Sequence, residues 1–211
     1  ACWGDFCILL RSANKYAHSY AQELAALGVP ARASTGGGFF ASREVQGVLS
    51  LLRVIDNPNQ DIPLLGVLMG PLYGFTPDDC ARMRDGDRKS PVYISLLRAA
   101  EADPQCRRPL EDIAALRGLS ATMPADAFLS LLYGRTGYPE LVLAMDGGHG
   151  RLENLRLLQR YAAEYEESGY HGLSGFVRFL DRLRDNGTDL QAAQPQPEDG
   201  QAVTVMSIHR S

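Results

Sequence analysis

The sequence predicts a mainly α fold, in which a helical body is inserted into a small α/β sheet. Three observations carry this reading. Strand, helix and strand follow one another with short connections over residues 5–34, helical patterns then run to about residue 186, and a β-branched strand returns at Val203.

Asp5-Phe-Cys-Ile-Leu-Leu10 is a short apolar run and predicts a buried strand, starting about Phe6 and ending at Arg11-Ser12. Ala13 to Leu27 places Tyr16, Tyr20, Leu24 and Leu27 at helical spacing, and Gly28 closes the helix with Pro30 just beyond. A second strand is expected from Pro30 to Ser34. With connections this short, strand–helix–strand reads as a fragment of parallel sheet. Gly36-Gly-Gly38 resembles a phosphate loop, but no Gly-Lys-Ser/Thr follows; Phe39-Phe40 does, which favours a flexible turn.

Ser42 is placed to cap the next helix, with Glu44 favourably near its N-terminus. Val45, Val48, Leu49, Leu52 and Ile55 form its apolar stripe, which ends at Asp56-Asn-Pro58. Further helices are predicted over Ile62 to Met69, Thr76 to Arg84, Pro91 to Ala102, Leu110 to Leu116, Ala125 to Tyr133 and Pro139 to Met145. The longest are Arg151 to Ser168 and Gly172 to Arg184. Thr188 to Gln201, with Pro195, Pro197 and Gly200, reads as a polar linker into a last strand where Val203 and Val205 alternate with Thr204 and Met206. That strand delivers Ser207, His209 and Ser211 to a polar turn and stops without a charged tail or cap, so an excerpt of a longer protein is expected.

The chain is 45% hydrophobic and 22% charged, ordinary for a globular protein. No apolar run approaches a membrane span and no signal or lipidation pattern is present, so the expectation is a cytoplasmic excerpt with no membrane partner. The net charge of -4 gives no reason to expect a protein that coats nucleic acid, and any DNA contact must be local. Cys2, Cys7, Cys80 and Cys106 show no metal-ligand spacing, which predicts no metal and reduced, mostly buried thiols. Asp78-Asp79 and Glu166-Glu167 are adjacent pairs on helical segments, where neighbours point apart, and read as solvated surface rather than a metal-holding cluster. A Walker loop, an acidic magnesium ligand and arginine fingers are absent, so this stretch by itself is expected to show neither ATPase nor nuclease activity and to have no catalytic residues.

Several short runs, weak one by one, form an ordered set. They are Ile8-Leu-Leu-Arg-Ser12, Gly28-Val-Pro30, Phe39-Phe40 with Glu44-Val45, Asn57-Pro58 with Asp61, and Pro71-Leu-Tyr-Gly-Phe-Thr76. Asn154-Leu-Arg-Leu157, Gly172-Leu with Phe176, and Met206-Ser-Ile-His209 complete it. The series resembles the UvrD-like superfamily 1A DNA helicases, and within them the bacterial helicase–nuclease branch of double-strand-break repair.

In that family a second RecA-like domain, 2A, is interrupted by a helical domain, 2B. The resemblance implies that residues 1–40 and 200–211 are 2A segments and 41–199 the 2B-like insertion. It also implies a parent that uses ATP and Mg²⁺ to translocate on DNA and that pairs with an AddB-like second subunit. From residues alone, Arg11 reads as a surface arginine paired with a carboxylate and His209 as a structural histidine. The resemblance instead places Arg11 and Asn14 on the single-stranded DNA phosphates, with Asn14 one residue further along than in the family, and matches Ser207 and His209 to motif V between DNA track and nucleotide site. Where relatives carry Gly-Ile-Gly for duplex phosphates, this chain has Leu72-Tyr-Gly-Phe75. The alternative class is a non-enzymatic helical module that docks a partner subunit; an exposed apolar helical face would favour it, and a basic groove continuous with Arg11 would favour DNA.

Overall fold

Ile8 and Leu10 alternate with Cys7 and Leu9, and this period of two sets the faces of the first strand, β1 (Cys7–Leu10). A 3-10 turn, Trp3–Asp5, precedes it, so the strand starts one residue later than expected. Helix α1 (Ala13–Ala26) and strand β2 (Ala31–Ser34) follow, and the last strand is β3 (Val203–Ser207). The sheet order is β1-β3-β2, parallel throughout, with Val205 opposite both Ile8 and Ala33. The two ends of the chain therefore meet in one small sheet, as the insertion reading expected.

Ala17 of α1 and Val205 are fully buried, with Ile8, Leu10 and Leu24 packed around them. The expected stripe on α1 is corrected here. Tyr16, Tyr20 and Leu27 are exposed, and the covered face runs through Ala17, Ala21 and Leu24. An alanine at the contact lets helix and sheet approach closely, whereas a tyrosine there would hold them apart. Gly28, at φ 77°, ends α1 as expected: its N–H donates to Ala25 O and that of Val29 to Leu24 O, a pairing that needs a left-handed residue between.

The described residues are 2–11, 13–34, 39–87, 89–185 and 202–208, and they fall into two units: Ala1–Ser42 with Leu190–Ser211, and Arg43–Asp189. The structure is a computed structural model. The Gly36-Gly-Gly38 turn, the 188–201 linker, His209 and Ser211 lie outside the described residues.

The second unit is helical. Its helices are α2 (Arg43–Asp56), α3 (Asp61–Leu68), α4 (Pro77–Arg84), α5 (Val92–Ala99) and α6 (Pro104–Ser120), then α7 (Ala125–Thr136), α8 (Tyr138–Leu143), α9 (Gly148–Glu167) and α10 (Leu173–Asp185). Helix α2 is its centre. Val45, Val48, Leu49, Leu51, Leu52, Val54 and Ile55 are all buried, on more than one face, because α3, α6, α9 and α10 pack around it. The hydroxyl of Ser42 donates to the carbonyl of Phe39, at 2.7 Å, within the buried Phe39–Ala41 turn.

Helix α6 is longer than expected. The expected helix began at Leu110, the residue after Pro109, but Asp103 caps the helix by accepting from Gln105 N–H (2.9 Å), Pro104 opens it, and Pro109 lies inside. A proline in the second turn removes one backbone hydrogen bond, and the firm cap upstream holds the turn that precedes it. Asp103→Ala is expected to cost about 1 kcal/mol in a urea titration, a typical loss for an N-cap.

Two acidic residues read as solvated surface are engaged. Asp79 closes a capping box with Thr76 at the start of α4, and its hydrogen bonds from the Thr76 side chain and backbone hold its pKa below the usual value. Glu166 accepts from Ala125 N–H (2.6 Å) at the start of α7 and from Gly172 N–H (3.1 Å) before α10, and lies 2.7 Å from His171 Nδ1. Neighbours do point apart on a helix, but one of the two then faces the body, and here it is Glu166. The thiols also divide: Cys80 and Cys106 are buried, whereas Cys2 and Cys7 are exposed because the first turn and the outer phase of β1 carry them. Among the described residues no helix is long and apolar enough to cross a membrane.

Candidate nucleic-acid interface

Because all three strands are parallel, their carboxyl ends lie along one edge, the place where open α/β sheets gather ligand-contacting groups. Leu10 stands opposite Ser207 and Ser34 opposite Met206. The N–H of Ile208 donates to the carbonyl of Leu10 at 3.2 Å, which brings the exit of β3 alongside the exit of β1. Arg11 is the first residue past β1; it is exposed, and among the described residues no acceptor pairs with its guanidinium. The first turn of α1 follows and contains Asn14. The backbone thus gathers Arg11, Asn14 and Ser207 at one edge. The side chains of Asn14 and Ser207, and all of His209, lie outside the described residues.

The sequence reading left out a charge on the same sheet, nearer the amino ends of the strands. Arg32 Nε donates to Thr204 Oγ1 at 2.9 Å, and Thr204 is buried. Arg32 and Thr204 are direct partners in the sheet register, on the face opposite Val205, so the signal was the alternation of Ala31-Arg-Ala-Ser34 read against the last strand.

The second unit has its own polar centre, and it is structural. Glu44 is 4% exposed. Its Oε2 accepts from Arg151 at 2.8 Å and its Oε1 from Asn154 Nδ2 at 2.6 Å, while its carbonyl accepts from the Tyr138 hydroxyl at 3.2 Å. Burial, with the Glu44 charge beside it, pushes the Tyr138 phenol up to about 12. Gly47 lies under this hydroxyl, and a Cβ there would overlap it. Glu44 and Asn154 belong to two of the short runs singled out in the sequence, and the fold joins them.

Burial, reinforced by Asp103, raises the Cys106 thiol to about 11, so it stays protonated and unreactive at neutral pH. Among the described residues no group of three or more His, Cys, Asp or Glu side chains is placed to hold a metal ion.

The chain thus combines a parallel sheet fragment, an arginine at the carboxyl edge of that sheet and a separate helical unit. The family model for the UvrD-like helicase C-terminal domain matches residues 3–109, and the chain belongs to that family. Its curated relatives include the A subunit of an ATP-dependent helicase/nuclease from Acetivibrio thermocellus, 42% identical over 212 residues. The proteins of the same description from Thermoanaerobacter sp. and Ruminiclostridium cellulolyticum are 37% and 38% identical. The alignments cover 98%, 98% and 99% of this chain and 17% of each relative, so the chain spans about a sixth of their length.

Proposed function

We propose that the chain is part of an AddA-like ATP-dependent DNA helicase/nuclease that acts in double-strand-break repair and recombination. Residues 1–40 and 200–211 are assigned to its 2A domain and 41–199 to its 2B domain. Arg11, Asn14, Ser207 and His209 form part of the single-stranded DNA track, and ATP and Mg²⁺ are held by other parts of the parent. The observation that carries the reading is the carboxyl edge of the sheet, where Arg11 stands beside the β3 exit with an exposed guanidinium. A fork of N–H donors on a rigid strand end suits a phosphate oxygen and carries no base information.

Arg11→Ala in the full-length enzyme is therefore expected to weaken single-strand binding about equally across sequences. It should lower the slope of log affinity against log salt by on the order of one and leave the melting temperature nearly unchanged. Oligonucleotide titrations over a salt series, with a thermal melt, measure both. An unchanged slope or a large drop in melting temperature would make Arg11 a structural residue.

Docking of an AddB-like second subunit is compatible with this role and is favoured by one observation. Leu141, Leu143 and Met145, at and just past the end of α8, are each exposed by 38% or more. Leu141→Asp should weaken assembly with that subunit in sedimentation velocity, and full assembly by the variant would remove α8 from the interface.

A further inference from the structure

The turn between α9 and α10 opens onto a cleft of about 410 Å³ in the second unit. Two guanidinium groups line it from different helices, Arg117 near the end of α6 and Arg178 in α10. Both are exposed, and among the described residues neither has an acceptor for its guanidinium. One carboxylate, Asp56, also lines the cleft and takes the Ser174 hydroxyl, while Glu166 takes His171 and the Gly172 N–H, so two guanidinium groups face a single lining carboxylate. The first-turn N–H groups of α10 add to the positive side of the cleft.

A second feature stands in the same turn. Tyr170 is 64% exposed, yet its ring is held in a stack on Tyr165, with centroids 5.6 Å apart and planes 22° from parallel. Tyr165 is itself fixed by Phe176 and Phe179. One face of Tyr170 is thus packed, and the ring is presented to solvent at little entropic cost. Tyr170 immediately precedes His171, which lines the cleft, and unpaired arginines in a cleft with a pre-stacked exposed ring in the turn that opens onto it form a pattern suited to a phosphate and its planar base.

We propose that this turn is a phosphate-and-base site, in which Arg117 and Arg178 hold a phosphate and Tyr170 stacks a nucleobase. The chemistry is shared by two sources, a single strand of nucleic acid and a free nucleotide. The site lies in the second unit and uses none of the sheet-edge residues, so it stands or falls separately from the Arg11 reading.

The test uses the 211-residue chain, fluorescein-labelled oligothymidylate of about 20 nucleotides followed by anisotropy, and AMP followed by calorimetry. Arg117→Ala with Arg178→Ala is expected to weaken the affected probe roughly tenfold and, for the oligonucleotide, to flatten the salt slope by about one. Tyr170→Ala is expected to cost about tenfold and Tyr170→Phe less than about twofold, because the phenyl ring keeps the stack. Thermal melts identify any variant that loses its fold, and single Arg117→Gln and Arg178→Gln chains then replace the double variant. Loss confined to the oligonucleotide makes the source a nucleic-acid strand; loss of AMP binding in the same variants makes it a free nucleotide. Binding of both probes at the unsubstituted level by the arginine and Tyr170→Ala variants, or no binding of either probe by the chain itself, overturns the proposal.

Discussion

Glu44→Ala is expected to destabilise the helical unit by about 3 kcal/mol, because removing one partner of a buried pair leaves the other charge uncompensated. Arg151 would lose its carboxylate, and Asn154, 6% exposed, would lose an acceptor for its amide. The value stands at the low end for such a loss because the Arg151 side chain is 29% exposed and water reaches part of it. Glu44→Gln keeps the shape and one acceptor oxygen, so its loss should be smaller. Urea unfolding followed by circular dichroism measures the difference. A loss for Glu44→Ala below about 1 kcal/mol would mean that the network adds little beyond what water supplies.

Glu166→Ala is expected to cost about 2 kcal/mol, since one carboxylate serves the first N–H of α7 and the N–H of Gly172 before α10. This contribution depends on pH. Burial alone would raise the Glu166 pKa, but the hydrogen bonds from Ala125, His171 and Gly172 outweigh it and hold the pKa below the usual glutamate value of 4.5. A depressed carboxyl pKa stabilises the fold above the unfolded value and loses that effect as pH falls through the folded one. The gap between the original chain and Glu166→Ala should thus be full near neutrality and close progressively below pH 4.5. A gap of constant size down to acid unfolding would show that the Glu166 charge contributes nothing.

The element order was legible because punctuation in the sequence is local. Gly28 after α1, Asn57-Pro58 after α2 and Thr76 before α4 each act within a few residues, and the structure ends or starts a helix at each. What escaped was set by distant partners. Tyr16 and Tyr20 fit a helical stripe as well as Ala17 does, and only the approach of the sheet decides that the alanine faces inward. Glu166 looked like half of a solvated pair because Ala125, whose N–H it accepts, lies far away in sequence. Pro109 hid the first turn of α6, since a proline rule applied without the Asp103 cap places the start too late. In the candidate interface, Arg11 was readable as a residue at a strand end. Its place beside Ser207 required the pairing of the two chain ends.

The sheet order β1-β3-β2 also governs the course of folding. β1 and β2 are close in sequence, yet neither pairs with the other; each waits for β3, which follows the whole helical unit in the chain. Contacts this distant in sequence form slowly, and on the ribosome they cannot form until the last strand has emerged. During synthesis the helical unit can fold from neighbouring contacts while two unpaired strand edges remain open to other chains. Aggregation during expression should therefore track the delay before residues 203–207 arrive, so slowing translation across that stretch would lower the soluble yield without altering the finished fold.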